Sequence, residues 1–512
     1  MIVPFSLSDF LHRATTVYGD RVGVVDEPDQ PAPSWGELTY REVGDRARQI
    51  AARLDALGID FGERVAMVSH NSARLLASFW GVGGYGRVLV PVNFRLSRDE
   101  VAYIVEHSGA RALFVDPELA DALDGVKAEH KFVIGDDDDL LADAEPQEWE
   151  PDENATATIN YTSGTTARPK GVQLTHRNIW VNAMTFGWHT GISDRDVYLH
   201  TLPMFHVNGW GMPFTMAGMG VPQVVLRKVD GHEILRRVDR HGVTIMCAAP
   251  AVVAAVLDAA PQWSAEHEGE IPGRGRTRIV VAGAAPPTRT IQRVEDELGW
   301  EFIQIYGLTE TSPLLTINRS RPEWDDLPAE ERAARVGRAG TPAVGVRLKV
   351  DDEGEVLARS NVVLEGYWDN PDESERVLQG GWFPTGDGGV IGDDGYLTIQ
   401  DRKKDVIITG GENVSSIEVE DAIFSHPDVA EVAVIGVPDE KWGETIKALV
   451  VKVEGSALTE RELIDYVKGK VARYKAPSSV EFREELDRTA TGKLQKFKLR
   501  APYWEGRDRL VN

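Results

Sequence analysis

The sequence predicts an α/β protein of at least two domains, and three observations carry that reading. Its 512 residues exceed the roughly 250–300 that one core fills. Strand-like apolar runs alternate with helically spaced segments over most of the length, the pattern of α/β layers. From about Asp401 onward the texture changes to a shorter alternation of strands and capped helices. The division follows as 1–400 for a large N-terminal domain and 401–512 for a small C-terminal one.

The elements follow in order. Tyr40–Leu57 is amphipathic and reads as a helix. Arg64-Val-Ala-Met-Val-Ser, Arg87-Val-Leu-Val-Pro-Val and Ala112-Leu-Phe-Val read as strands. Asp136–Asp139 is an acidic run expected to be a solvated loop. Ala155, Ala157 and Ile159 alternate with Thr156, Thr158 and Asn160, as in a strand, and Thr175 is placed to cap a helix through Asn178, Val181 and Met184. Arg278-Ile-Val-Val and Trp300-Glu-Phe-Ile are further strands, and the charged stretch Arg319–Arg335, with Pro322 and Pro328, reads as a surface excursion. In the last hundred residues Val406-Ile-Ile, Glu431-Val-Ala-Val-Ile-Gly and Lys447-Ala-Leu-Val-Val-Lys-Val are strands. Ser415-x-x-Glu418 and Thr459-x-x-Glu462 are capping-box patterns. The first opens a helix with Ile417, Val419, Ala422 and Ile423, the second one with Leu463, Ile464, Val467 and Val471. No repeat of fixed period is present.

Composition narrows the function. Fifty-six Lys and Arg against 81 Asp and Glu give a net charge of −25, which argues against nucleic acid and anionic membrane as partners, since both are bound through basic surface. Cys247 is the single cysteine. No intrachain disulfide can form, and its apolar run Val243-Thr-Ile-Met-Cys-Ala-Ala marks it as a buried strand residue rather than a nucleophile. The N-terminal residues lack a basic stretch followed by an apolar core. The most apolar segments, Trp210–Leu226 and Val243–Leu257, are broken by Gly and Pro and fall short of the ~20 residues of a membrane span. A cytoplasmic enzyme is the expectation.

The strongest chemical signal is Tyr161-Thr-Ser-Gly-Thr-Thr-Ala-Arg-Pro-Lys-Gly-Val172. It reads as strand, loop, helix. Small and hydroxylated residues let backbone N–H groups wrap an anion, and Lys170 adds a point charge. A Walker A loop requires Gly-Lys-Ser/Thr four residues after its first Gly; here Gly171 follows Lys170 instead of preceding it. Farther on stand Gly283-Ala-Ala-Pro, Gln304-Ile-Tyr-Gly-Leu-Thr-Glu310-Thr, Gly381-Trp-Phe-Pro-Thr-Gly-Asp387, Asp401-Arg-Lys-Lys404-Asp, Gly410-Gly-Glu-Asn413 and Arg488-Thr-Ala-Thr-Gly-Lys493.

In that order, these segments resemble the motifs of the acyl-adenylate-forming superfamily, which includes acyl-CoA synthetases, luciferases and peptide-synthetase adenylation domains. The likeness covers nearly the whole chain. Ala167 stands where the family usually has Gly in the phosphate loop, Asp487 where Pro usually precedes the Arg of the tail motif, and Gly388-Gly-Val where an aromatic or Leu is followed by Gly-Tyr. The resemblance implies a large N-terminal domain of layered α/β subdomains with a small β-barrel, plus a small mobile α+β C-terminal domain. It implies that Thr162, Ser163, Gly164, Thr165, Thr166 and Lys170 cradle phosphate. Gly283 and Ala284 would line the adenine and acyl pockets, and Gln304, Tyr306 and Gly307 the adenine. Thr309 would lie by the α-phosphate, Asp387 and Arg402 on the ribose, Lys404 at the pivot, and Gly411 in the loop serving the second half-reaction.

Glu310, with Thr162, would hold Mg²⁺, and Lys493 would be the catalytic lysine of adenylation. The implied reaction joins ATP, a carboxylic acid and coenzyme A into acyl-CoA, with AMP and pyrophosphate released. Pro203-Met-Phe-His-Val-Asn-Gly-Trp210 is most similar to bacterial fatty-acyl-CoA synthetases, in which His206 would sit at the acyl and thiol junction and Trp210 would gate an acyl tunnel. Met212, Met216 and Met219 suit an adaptable apolar pocket; Trp210 and these methionines read equally as plain core. A medium- or long-chain fatty acid is thus the leading substrate, with aryl or short-chain acids, or loading of a carrier protein, as alternatives. A homodimer is compatible with the resemblance.

Overall fold

The computed structural model describes the chain except residues 136–139, 163–167, 284–285, 403–404, 410–411, 440–441, 489–493 and 506–512. The acidic run Asp136–Asp139 lies outside the described residues.

Two large sheets form the N-terminal domain. In the first, seven strands run in the order Gly366–Tyr367, Lys170–Thr175, Thr156–Thr162, Val88–Val92, Arg64–Val68, Ala110–Val115, His130–Val133. The last five are parallel to one another, and the first two are added antiparallel. In the second, nine strands surround a parallel core of Glu301–Gly307, Arg278–Val281, Ile245–Ala248, Tyr198–His200, Gln223–Val225 and Val22–Val25. Helices cover the faces, as parallel strands require. Tyr40–Ala56 is one of them, opened by a full Thr39/Glu42 capping box. Cys247 is fully buried in its strand.

Charged side chains are also sealed into this domain. Arg227 pairs with Asp116 at 2.7 Å and Arg237 with Glu27 at 2.8 Å, all four buried. Each charge is compensated by its partner, which is the condition for burying ions.

A third sheet in the large domain is four-stranded and antiparallel, formed by Arg347–Val350, Glu355–Arg359, Phe383–Ile391 and Leu397–Arg402. The C-terminal domain has its own five-stranded sheet, built on the antiparallel pair Val429–Asp439 and Gly443–Lys452, and its own apolar core around Val434, Ala448, Leu463 and Val467.

Three sequence expectations are corrected. The phosphate segment is not strand, loop, helix. Lys170–Thr175 is a strand that pairs back on Thr156–Thr162, with Thr162 opposite Lys170, and the helix His176–Thr190 starts only after it, under a full Thr175/Asn178 capping box. The cause is legible afterwards: Val172 and Leu174 are buried at two-residue spacing. The stretch 319–335 is not all surface excursion. Trp324 is buried against Tyr396 and a helix forms over Ala329–Val336, because Ala333 and Val336 face the core. Finally, Ser415 caps Ser416–Phe424 through the Glu418 N–H, but the Glu418 carboxylate turns to Lys475 at 2.7 Å instead of closing the box. The Thr459/Glu462 box does close, and its helix ends at Lys468, before Val471.

Candidate active site

Three of the expected segments reach the carboxyl ends of parallel strands, where α/β sheets bind ligands. Thr162 ends a strand of the first sheet, and Gly307 ends one of the second; Gly283 lies exposed just beyond the neighbouring strand Arg278–Val281. Ser163, Gly164, Thr165, Thr166, Ala284, Lys404, Gly411 and Lys493 lie outside the described residues.

Around the opening, Lys170 and Glu310 are drawn together by a residue the sequence reading did not single out. The Tyr367 hydroxyl donates to Glu310 Oε1 at 3.0 Å, and Lys170 Nζ lies 5.1 Å from the centre of the Tyr367 ring. Burial pushes the Glu310 carboxyl above its ordinary pKa, outweighing the Tyr367 hydrogen bond and the pull of the Arg402 and Lys170 cations. A desolvated carboxylate suits a hard divalent cation, which takes one or two carboxylates and completes its shell with phosphate oxygens. Thr162 is half-buried at the end of its strand.

Lys170 itself is held by Glu373 at 2.6 Å, on the first turn of the helix Pro371–Leu378. Glu373 is gripped from its other side by Arg376, at 2.6 and 2.9 Å. Arg376 first, and Lys170 after it, draw the Glu373 carboxyl down to about 2. Asn370-Pro371 before Glu373, a capping residue followed by the favoured first helical residue, is the signal that could have located this helix in advance.

The second group is Tyr306, Asp387 and Arg402. The Tyr306 hydroxyl donates to Asp387 Oδ2 at 2.8 Å, and Arg402 Nε lies 3.5 Å from Asp387 Oδ1. Burial, reinforced by the Asp387 charge, keeps the Tyr306 phenol protonated far above its usual range. The strand Glu301–Gly307 delivers Tyr306, and the antiparallel pair Phe383–Ile391 and Leu397–Arg402 places Asp387 directly across from Arg402. Gln304 is buried, and its Oε1 has no hydrogen-bond partner among the described residues, which leaves an acceptor for a ligand N–H. Thr309 is buried in the turn that presents Glu310. Gly307 is required by space: a Cβ there would fall 1.6 Å from the Pro313 carbonyl oxygen.

The third group is His206 and Trp210. His206 is half-buried; Trp210 is buried in one apolar core with Met204, Met212 and Met216, and Met219 packs on its edge. Residues 207–211 all have positive φ, with Val207 at 46°, Asn208 at 54°, Gly209 at 57°, Trp210 at 62° and Gly211 at 77°. A left-handed run of this kind costs roughly 1–2 kcal/mol per residue that carries a Cβ.

Comparison with known proteins agrees with this geometry. The family model for AMP-binding enzymes matches residues 11–368, and that for the AMP-binding enzyme C-terminal domain matches 418–493. The chain is 38% identical to 2-methylpropanoate–CoA ligase CCL4 of Humulus lupulus, over 97% of this chain and 95% of that one. It is 37% identical to 4-hydroxybutyrate–CoA ligase 2 of Metallosphaera sedula, over 96% and 93%. Among solved structures, the anthranilate CoA ligase AuaEII in complex with anthranoyl-AMP superposes with a TM-score of 0.87 at 29% identity, covering 98% of each chain. AMP-binding enzymes of this kind use ATP with Mg²⁺, and CoA as co-substrate. Matched over both of its domains and along nearly its whole length by a CoA ligase, the chain belongs to the AMP-binding enzyme family, the acyl-adenylate-forming superfamily, and is an AMP-forming acid–CoA ligase.

Proposed function

We propose that the acid is a short aliphatic one, straight or branched. Two points support this. Trp210, which would floor the acyl pocket, is 5% exposed and packed into the core, so a long chain passing it requires it to move. The two relatives named above act, by their names, on 2-methylpropanoate and 4-hydroxybutyrate. A second reading, a medium- or long-chain fatty acid, is favoured by Met204, Met212 and Met216 beneath Trp210, since unbranched thioethers repack readily.

The roles follow from charge. The acid's carboxylate is already ionised at pH 7. Its oxygen attacks the α-phosphorus of ATP, the bond to the bridging oxygen breaks, and pyrophosphate leaves. Lys170 and the 162–166 loop bind the departing phosphates, and Lys493 neutralises charge at the α-phosphorus beside Thr309. Mg²⁺, held by Glu310 and Thr162, supplies further neutralisation when bound. Asp387 takes the ribose, with Arg402 beside it, and Tyr306, Gln304, Gly307 and Gly283 wall the adenine. In the second step the CoA thiol attacks the acyl carbonyl next to His206: the S–C bond forms, the acyl C–O bond to the phosphate breaks, AMP departs, and the thiol proton passes to solvent. Lys493 and Gly411 serve different steps and share the small domain. We therefore place the domain boundary at 400/401, with Lys404 as the pivot of a rotation between half-reactions. No helix of the described residues is long and apolar enough to cross a membrane, and with the −25 charge we assign a cytoplasmic location and no nucleic-acid partner.

The observation that carries the adenylating chemistry is the Lys170–Tyr367–Glu310 cluster, and the burial of Trp210 carries the choice of acid. Pyrophosphate release is measured across acetate to dodecanoate, 2-methylpropanoate and benzoate, with and without CoA, and products are weighed by mass spectrometry. Short acids are expected to lead, with acyl-CoA as product. Preference for C8 or longer selects the second reading, and no CoA adduct with any acid rejects both.

A further inference from the structure

The left-handed run 207–211 is clamped from two sides by buried amides that the nucleotide chemistry does not use. Asn208 Nδ2 donates to Thr158 Oγ1 at 3.0 Å, Thr158 Oγ1 to Asn160 Oδ1 at 2.9 Å, and Asn160 Nδ2 to Asn208 Oδ1 at 3.1 Å. This is a closed ring in which each group donates to the next, and all three residues are at most 2% exposed. Asn160 Nδ2 also reaches the Phe205 carbonyl at 3.3 Å, next to His206. On the other side Asn182, fully buried, donates to the Trp210 carbonyl at 3.1 Å and accepts from the Leu314 N–H at 3.1 Å. Gly211 makes this approach possible, because a Cβ there would lie 2.5 Å from Asn182 Nδ2.

The clamps connect three parts of the site. Thr158 and Asn160 share their strand face with Thr162, by the two-residue alternation, and that strand leads into the phosphate loop. Leu314 opens the strand that follows the Thr309–Thr311 turn carrying Glu310. Left-handed backbone is unfavourable for Val207 and Trp210, and such strain persists only where the surroundings over-determine it. Without the clamps the turn has every reason to unwind toward the right-handed region, carrying the indole of Trp210 with it.

We propose that the Thr158–Asn160–Asn208 ring and Asn182 are the specificity-determining positioning residues of the acyl pocket. They hold the turn left-handed, which fixes Trp210 as its floor and thereby limits the length of acid accepted. This rests on the reading of Trp210 as that floor. Asn208→Ala opens the ring and removes a residue tolerant of positive φ, whereas Asn208→Gly opens the ring and keeps the backbone freedom. Asn182→Ala releases the other side.

The test is kcat/KM for butanoate and octanoate in the wild type, these three variants and Trp210→Gly, with KM for ATP measured alongside. Trp210→Gly is expected to raise the octanoate-to-butanoate ratio. Asn208→Ala and Asn182→Ala are expected to raise it by about tenfold or more, the scale of methylene discrimination in apolar pockets, with KM for ATP within about twofold of wild type. Asn208→Gly is expected to raise it as Asn208→Ala does and, being compatible with the backbone, stands in should Asn208→Ala fail to fold. A uniform loss on both acids in the clamp variants, with the ratio unmoved while Trp210→Gly shifts it, overturns the inference and leaves the reading of the acyl pocket intact. A ratio unmoved in all four variants overturns both.

Discussion

If Lys170 binds the phosphates of ATP as proposed, Glu373 competes for it, and removing its charge measures by how much. Lys170 Nζ lies 2.6 Å from Glu373 Oε1, with 27% and 19% of the two side chains exposed. Two unit charges 4 Å apart attract by about 1 kcal/mol in water and about 4 kcal/mol in the partly desolvated setting of a protein surface. Side-chain ordering and salt reduce what an accessible pair is worth, which leaves about 1–2 kcal/mol for this one. With its carboxyl drawn down to about 2, chiefly by Arg376, Glu373 stays ionised at every pH where the enzyme works. ATP's phosphates must therefore separate Lys170 from it. Glu373→Gln is expected to tighten Mg-ATP by about 5- to 30-fold, since each 1.4 kcal/mol is a factor of ten. Titration calorimetry without acid or CoA reads this directly, and the gain shrinks as salt rises. Weaker binding in Glu373→Gln would mean that the carboxylate holds Lys170 in its working position, and the competition argument would fall.

Glu310→Gln is expected to abolish pyrophosphate release and to raise the melting temperature. Burial lifts the folded-state pKa of Glu310, so its ionised form lowers stability at neutral pH, and stability returns as pH falls through that raised value; a neutral Gln removes the penalty. Gly307→Ala forces a Cβ against the Pro313 backbone and is expected to cost at least about tenfold in kcat with a lowered melting temperature, because the strand carrying Tyr306 and the turn carrying Glu310 must separate. Lys493→Ala is expected to cost about 10²–10³ in adenylate formation while sparing thioester formation from preformed acyl-AMP; equal loss of both half-reactions refutes its assignment.

What the sequence reveals about this site divides by distance along the chain. The phosphate loop, the Gln304–Glu310 segment and the two C-terminal caps are local patterns, and each lies within a dozen residues. The hairpin at Lys170–Thr175 was equally local, yet a following cap at Thr175 drew attention to the helix and away from the alternation of Val172 and Leu174. Glu373 stands 203 residues from Lys170, and Asn182 stands 132 from Leu314. Nothing in the composition of either segment announces those meetings: the first exists only once Gly366–Tyr367 has added to Lys170–Thr175 in the seven-stranded sheet, the second only once the helix His176–Thr190 has packed on the strand Leu314–Arg319. Trp210 shows a different limit: a large apolar residue in an apolar run is the same sequence signal for a pocket wall and for a core.

The end of the chain bears on its middle. Lys496 Nζ lies 2.8 Å from Glu420 and bonds the Ser416 hydroxyl, and Arg500 pairs with Asp405 at 3.0 Å. Most proteins tolerate the loss of a few terminal residues. Here, stopping translation after Gln495 would strip the counter-cations from two largely buried acids, one of them beside the junction between the large and small sheets. An inactive truncation before Lys496 would therefore say little about chemistry and much about an interior left with unanswered negative charge.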